Sequence, residues 1–203
     1  AQCITAEQTK EAAAEQKIES RMVITMKAIL AAGGTAGHIN PAIAIASEIR
    51  KHGGEVLFIG NEKSMEKELV PKAGFDIKCI KVSGFQRRLT LKNIKTAFQA
   101  AEGLVKTKKI IKEYKPDIVI GCGGYVSGPA VYSAANLKIP TLIHEQDAFP
   151  GLTNKILSKA VDTICISFKG SEKYFKTKKK IVFTGNPVRE NILEVSYEEA
   201  RKK

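Results

Sequence analysis

The chain has 203 residues, 43% of them hydrophobic, and a formal net charge of +12 from 33 basic and 21 acidic side chains. That length and composition suit one ordinary globular core, whereas no apolar run reaches the roughly 18 residues of a membrane span and no segment has the layout of a signal peptide. A domain this basic is expected to meet an anionic partner.

Residues 1–25 read as an N-terminal extension foreign to the domain, because Thr5–Ser20 is rich in Ala, Glu, Gln and Lys and offers few large apolar side chains to a core. The domain itself is expected over 26–190. It opens on an apolar strand at Ala28–Ala32, turns through Gly33-Gly-Thr-Ala-Gly-His38, and restarts at helical spacing over Pro41–His52, with Asn40 as N-cap and Pro41 in the first turn. Val- and Ile-rich runs then predict strands at Val56–Gly60, Phe75–Val82, Ile118–Gly121, Thr141–His144, Thr163–Ile166 and Ile181–Thr184. Helical periodicity predicts Ser64–Ala73, Leu91–Tyr114, Gly128–Asn136 and Leu152–Lys159 between them, and 191–203 as a helical tail or the start of a linker. Strict alternation of this kind implies an α/β fold, a Rossmann-like parallel sheet with helices on both faces. Ligands on such sheets bind beyond the carboxyl ends of the strands, so the loops to read for chemistry are those after each strand, at 33–40, 60–64, 83–90, 121–128, 145–151, 167–172 and 185–190.

The first of these loops carries Gly33, Gly34 and Gly37, which let the backbone approach a ligand, at the positive end of a helix dipole. Its spacing is neither a P-loop nor Gly-x-Gly-x-x-Gly. His38 stands at its mouth, and an imidazole titrates near neutral pH, where a general base is useful. Gly121-Cys-Gly-Gly-Tyr-Val-Ser-Gly-Pro129 is a second anion-friendly turn after a buried strand. His144-Glu-Gln-Asp-Ala-Phe-Pro-Gly-Leu-Thr-Asn154 puts a carboxylate and several hydrogen-bonding groups at the end of the next one. Cys3, Cys79, Cys122 and Cys165 show no C-x-x-C spacing and read as reduced packing residues of a cytoplasmic protein, with no metal role. Arg87, Arg88, Lys92 and Lys95, interleaved with Phe85, Leu89, Leu91, Ile94 and Phe98, have the composition that an anionic membrane surface attracts. No aromatic platform or recognition helix accompanies the charge, which argues against nucleic acid.

Gly33-Gly-Thr-Ala-Gly-His38, Gly123-Gly-Tyr-Val-Ser-Gly128, His144-Glu-Gln-Asp147 with Pro150-Gly-Leu-Thr-Asn154, and Gly185-Asn-Pro-Val-Arg189 together resemble the MurG family, the bacterial glycosyltransferases that make lipid II. The resemblance runs from about Met26 to Arg189 and implies the N-terminal, acceptor-side half of a GT-B enzyme, whose C-terminal UDP-sugar domain has no counterpart here. It implies inverting transfer of N-acetylglucosamine from UDP-N-acetylglucosamine to the muramoyl 4-hydroxyl of lipid I, with no cofactor and no essential metal. It places the work at the cytoplasmic face of the bacterial plasma membrane, as a peripheral protein, and implies that this chain alone does not turn over. The alternative is an isolated module that binds membrane or lipid I.

By the same resemblance His38 is the base, Glu145 the competing base or orienter, and Tyr125 a positioner of acceptor hydroxyls. Thr35, Ala36, Gly37, Asp147 and Arg189 would face the donor, and Gly34, Gly37, Gly123, Gly124, Ser127, Gly128 and Asn154 the acceptor diphosphate. Ala36 stands where many members have Gly, a change that leaves the backbone donors in place. Asp147 stands where the family usually has Asn, and an ionised carboxylate can accept hydrogen bonds but not donate them.

Overall fold

A computed structural model describes residues 25–83, 91–189 and 201, with side chains omitted over 91–98. Seven strands, β1 (Lys27–Ala31), β2 (Glu55–Asn61), β3 (Asp76–Ile80), β4 (Ile118–Gly121), β5 (Thr141–Glu145), β6 (Thr163–Ile166) and β7 (Lys180–Phe183), form one parallel sheet in the order β3-β2-β1-β4-β5-β6-β7. Its centre is in register at Ile29 opposite Leu57 on one side and Val119 on the other. The helices are α1 (Ala36–Lys51), α2 (Glu66–Lys72), α3 (Leu91–Tyr114), α4 (Ser127–Asn136) and α5 (Leu152–Leu157).

The strand order grows outward from β1 in both directions. Right-handed crossovers running in opposite directions along a sheet must lie on opposite faces, and the buried side chains divide accordingly. Ala28, Leu30 and Phe58 point to the face covered by Ile39, Ala42, Ile43 and Ala46 of α1 and Val70 of α2. Ile29, Ala31 and Ile59 point to the other, with Ile110 and Ile111 of α3, Ala130, Val131 and Ala134 of α4, and Leu157 of α5. A strand covered on both faces has no use for a polar alternate position, which is why these strands read as unbroken apolar runs.

Most boundaries fall within two residues of their sequence expectations, but α1 does not. It starts at Ala36, with Thr35 in the extended conformation (φ −143°, ψ 155°) as the residue before it. The Thr35 carbonyl receives the N–H groups of His38 at 3.1 Å and Ile39 at 3.2 Å. The glycine turn therefore closes in fewer residues than the Asn40-Pro41 signal suggests, and those two lie inside the helix. Pro41 lacks the N–H that would meet the Gly37 carbonyl one turn earlier. The cluster of Phe85, Arg87, Arg88 and Leu89 lies outside the described residues, as do 1–24, while Lys92 and Lys95 fall on α3 within the stretch whose side chains are not described.

Candidate active site

The point at which the strand order reverses lies between β1 and β4, and there the two glycine turns press together. Gly123 (φ +101°) and Gly124 (φ +77°) both adopt the left-handed region that side chains avoid. A Cβ on Gly124 would run into the Gly33 carbonyl, and one on Gly123 would lie 2.5 Å from His38 Nδ1. The absence of these two side chains is what allows the β1–α1 turn and the β4–α4 turn to meet and the His38 ring to lie against the second of them.

Beside this contact opens a cleft of about 550 Å³, bounded by the β5–α5 loop and by α3, α4 and α5. His38, Gly123, Gly124, Tyr125, Gly128, Glu145, Asp147 and Asn154 all line it. Its remaining walls are mostly apolar and include Val82, Leu104, Pro129, Tyr132, Leu152 and Ile156. Three separate strand-to-helix connections thus converge on one concavity. Thr35, Ala36 and Gly37 do not line it; they immediately precede His38 at the start of α1, partly or fully exposed, where helix geometry leaves N–H groups without intrahelical acceptors.

Other expected ligand contacts are turned inward. The Gly34 N–H donates to Glu66 Oε2 at 3.3 Å. Ser127 is fully buried, and its hydroxyl lies 2.7 Å from both the Ala31 and the Gly123 carbonyls, tying β1 to the second turn. Asn154 gives its amide hydrogens to the His144 carbonyl at 3.2 Å and to Glu145 Oε2 at 2.9 Å. Glu145 also accepts the N–H groups of Asp147 and Gly151, each at 3.1 Å, and is 1% exposed. Three donors on one buried carboxylate give it the geometry of a loop organiser. Asp147, by contrast, is exposed at the cleft wall.

Arg189 is not brought to this cleft. It lines a separate cavity with Ile43, Ser47, Glu48 and Arg50, along α1 and away from His38. The strap that carries it is pinned at its start by His144, a buried residue whose Nε2 donates to the Gly185 carbonyl at 3.1 Å, while its Nδ1 finds no partner among the described residues.

Two residues of the site have no role assigned from the sequence: Gln146, which lies inside the His144-Glu-Gln-Asp147 motif, and Glu66, which lies in none. Gln146 is buried, with Oε1 3.3 Å from His38 Nδ1 and Nε2 donating to the Cys122 carbonyl at 2.6 Å. Glu66 is fully buried, accepting the Asn61 N–H at 2.9 Å on the oxygen that does not hold Gly34. The Asn61 amide continues to the Val82 carbonyl at 2.8 Å and to the Tyr125 hydroxyl at 3.5 Å, so Glu66 braces two walls of the cleft. The Cys122 thiol is pushed by burial up to about 12, which keeps it neutral beside this array.

The sequence model of the glycosyltransferase family 28 N-terminal domain matches residues 28–166. The chain belongs to that family. Over 180 residues it is 58% identical to the UDP-N-acetylglucosamine--N-acetylmuramyl-(pentapeptide) pyrophosphoryl-undecaprenol N-acetylglucosamine transferase of Acetivibrio thermocellus, covering 88% of this chain and 49% of the relative. It is 53% identical to the protein of the same name from Caldanaerobacter subterraneus subsp. tengcongensis, at 88% and 50% coverage. The crystal structure of Acinetobacter baumannii MurG superposes with a TM-score of 0.68 at 30% identity, over 88% of this chain and 49% of that one. This family 28 domain therefore spans about half the length of the relatives it matches, and its sheet is the Rossmann-like half of a GT-B architecture.

Proposed function

We propose that this domain is the acceptor-binding half of an enzyme that moves N-acetylglucosamine from UDP-N-acetylglucosamine to the 4-hydroxyl of the muramoyl sugar of lipid I, forming lipid II. The observation that carries the reading is the convergence of His38, Tyr125 and the glycine turn at 123–128 on one cleft with a long apolar wall, in a chain 58% identical to a transferase of that name. A lipid-linked diphosphate sugar has both an anionic and an apolar end, and the cleft offers matching surfaces. The second domain that completes the relatives supplies the rest of the donor pocket in this reading.

In the reaction the acceptor oxygen attacks the anomeric carbon from the face opposite the leaving UDP, so one C–O bond forms as the other breaks and the configuration inverts. His38 takes the proton of the attacking hydroxyl. The departing diphosphate gains negative charge on the oxygen that held the sugar. The free N–H groups at the start of α1, at Thr35, Ala36 and Gly37, lie where they can stabilise that charge. Gly34 does not share this work, since its N–H is held by a buried carboxylate that would also repel an anion behind the loop. The backbone of Gly123, Gly124 and Gly128, at the start of α4, takes the acceptor diphosphate. Tyr125 positions the acceptor sugar, Asp147 meets the donor at the cleft edge, and Glu145 with Asn154 holds the loop that carries Asp147.

A chimera that joins residues 1–203 to the C-terminal half of the Acetivibrio thermocellus relative tests the assignment. It should release UDP when given lipid I and UDP-N-acetylglucosamine, and His38→Ala should lower kcat on the order of 10²–10⁴-fold, the usual loss for a general base. A fall of less than tenfold in an active chimera would remove His38 from the role.

A further inference from the structure

We infer that Gln146 is a positioning residue that fixes the tautomer of His38, leaving Nε2 as the bare, proton-accepting nitrogen. The inference rests on the reading of His38 as the base, and it stands on three contacts. Gln146 Nε2 lies 2.6 Å from the Cys122 carbonyl oxygen. Turning the amide over would set two oxygens at that distance with no proton between them, so the amide nitrogen must face Cys122. Gln146 Oε1 therefore faces His38 Nδ1, at 3.3 Å. An amide oxygen only accepts, and the ring nitrogen opposite it must carry the hydrogen. In a neutral imidazole the other nitrogen is then unprotonated.

The ring is held from a second direction. It lies against Gly123, where a Cβ would stand 2.5 Å from Nδ1 and 2.8 Å from Cε1. Gly123 and Gln146 thus fix the ring plane and its tautomer together. The Cys122 carbonyl belongs to the residue just after β4, and its own N–H donates to the Ala31 carbonyl at 2.8 Å, so the relay is anchored in the centre of the sheet. Catalytic triads use a carboxylate in this place, which also stabilises the imidazolium. A carboxamide orients the ring without adding charge to a site that must hold two diphosphates. The other titratable groups lining the cleft with His38 are Tyr125, Tyr132, Glu145 and Asp147, and Glu145 is occupied by its three donors.

The test separates this relay from the role of the base. Nitrogen-15 NMR of labelled histidine in this chain, well above neutral pH, should show His38 with a protonated Nδ1 and a bare Nε2. Gln146→Ala should shift the ring toward the opposite tautomer, whereas Gln146→Glu, which keeps an acceptor at Nδ1, should retain the original one; backbone amide spectra check that each variant is folded. In the two-domain chimera Gln146→Ala should lower kcat by about 10- to 100-fold, the range for partners that orient an active ligand or base, with KM for both substrates within about twofold. Gln146→Glu should recover part of that loss. A parent protein whose His38 carries its hydrogen on Nε2, or a Gln146→Ala variant with an unchanged tautomer, overturns the inference whatever the activity. If the tautomer behaves as expected while His38→Ala leaves kcat intact, the relay stands and the assignment of His38 as base falls.

Discussion

Glu66 is a carboxylate without a surface, held by two backbone N–H groups, one from the β1–α1 turn and one from the end of β2. Space for it comes from two glycines, since a Cβ on Gly33 would lie 2.5 Å from its Oε1 and one on Gly60 would lie 2.6 Å from its Cγ. The sequence displays those glycines as turn and strand residues, and nothing in their spacing reveals that they make room for a side chain at position 66. Gln146 is hidden in the same way, because its partner His38 is 108 positions away. Glu66→Ala leaves one buried and one half-buried N–H group unsatisfied and opens a void, and should cost about 2 kcal/mol or more. Glu66→Gln keeps one acceptor but sets an NH₂ against an N–H, and should fall between Ala and the parent in a urea unfolding series. Equal stability of all three would mean that the carboxylate does not hold the turn. His144 governs a pH effect of definite sign. Burial holds it below the ordinary 6.5, outweighing the Gly185 hydrogen bond and the Glu145 charge that favour the imidazolium. The folded state therefore binds this proton less readily than the unfolded chain, so stability is complete above about 6.5 and declines as pH falls through that value. Asp162, held below 3.8 by the Thr141 N–H and hydroxyl, has the same sign in a lower window, so the two are separable. Unfolding by urea at pH 7.5 and pH 5.5 should show the loss in the parent and a smaller one in His144→Gln; parallel curves would assign it elsewhere.

The strands were legible because burial on both faces removes the need for a polar alternate, and the helices because their apolar stripes recur at the right period. What the chain did not display was where α1 begins. Asn40 and Pro41 form a good start signal, yet Thr35 already stands extended and its carbonyl already receives the first helical hydrogen bonds. Tertiary contact settled the matter, because the β1–α1 turn must be short enough to press on Gly123 and Gly124. The three-loop cleft was legible from strand ends alone, while the inward use of Gly34, Ser127 and Asn154 was not, since a donor looks the same in sequence whether it faces ligand or core. The turn contact makes a prediction that distinguishes two neighbours. Gly124→Ala drives a methyl into the Gly33 backbone, which cannot move aside, and should lower the melting temperature sharply. Gly123→Ala drives one into the His38 ring, a side chain that can swing away. It should cost about 1–3 kcal/mol for the left-handed backbone, leave the fold intact, and abolish most transfer in the chimera. The reverse order of damage would show that the first turn, and not the imidazole, is the adaptable partner.

At the scale of the molecule the cleft sits at the carboxyl ends of the strands. Ser83 and Ala100 line it, and the sequence between them carries Phe85, Arg87, Arg88, Leu89, Lys92 and Lys95, whose side chains lie outside the described residues. Leu152 and Ile156 of α5 also line the cleft, one helical turn apart, 69% and 63% exposed, with Lys155 between them in sequence. Among the described residues no helix is long and apolar enough to cross a membrane. Leu152, Lys155 and Ile156 on α5, together with the basic and apolar residues of the 85–95 sequence, have the composition that an anionic bilayer attracts, each cation adding about 1 kcal/mol near such a surface and each buried methylene a comparable amount. The domain should therefore bind vesicles that contain anionic lipid and release as salt rises, since charges farther apart than about 8 Å are screened at physiological ionic strength. The two components should separate by substitution. Replacing Arg88 and Lys92 with Glu should weaken binding chiefly at low salt, whereas Leu152→Ser with Ile156→Ser should weaken it at every salt concentration, because burial of apolar area does not depend on screening. Equal binding to neutral and anionic vesicles would remove the cationic component, and binding indifferent to both pairs of substitutions would place the membrane contact on another face of the domain.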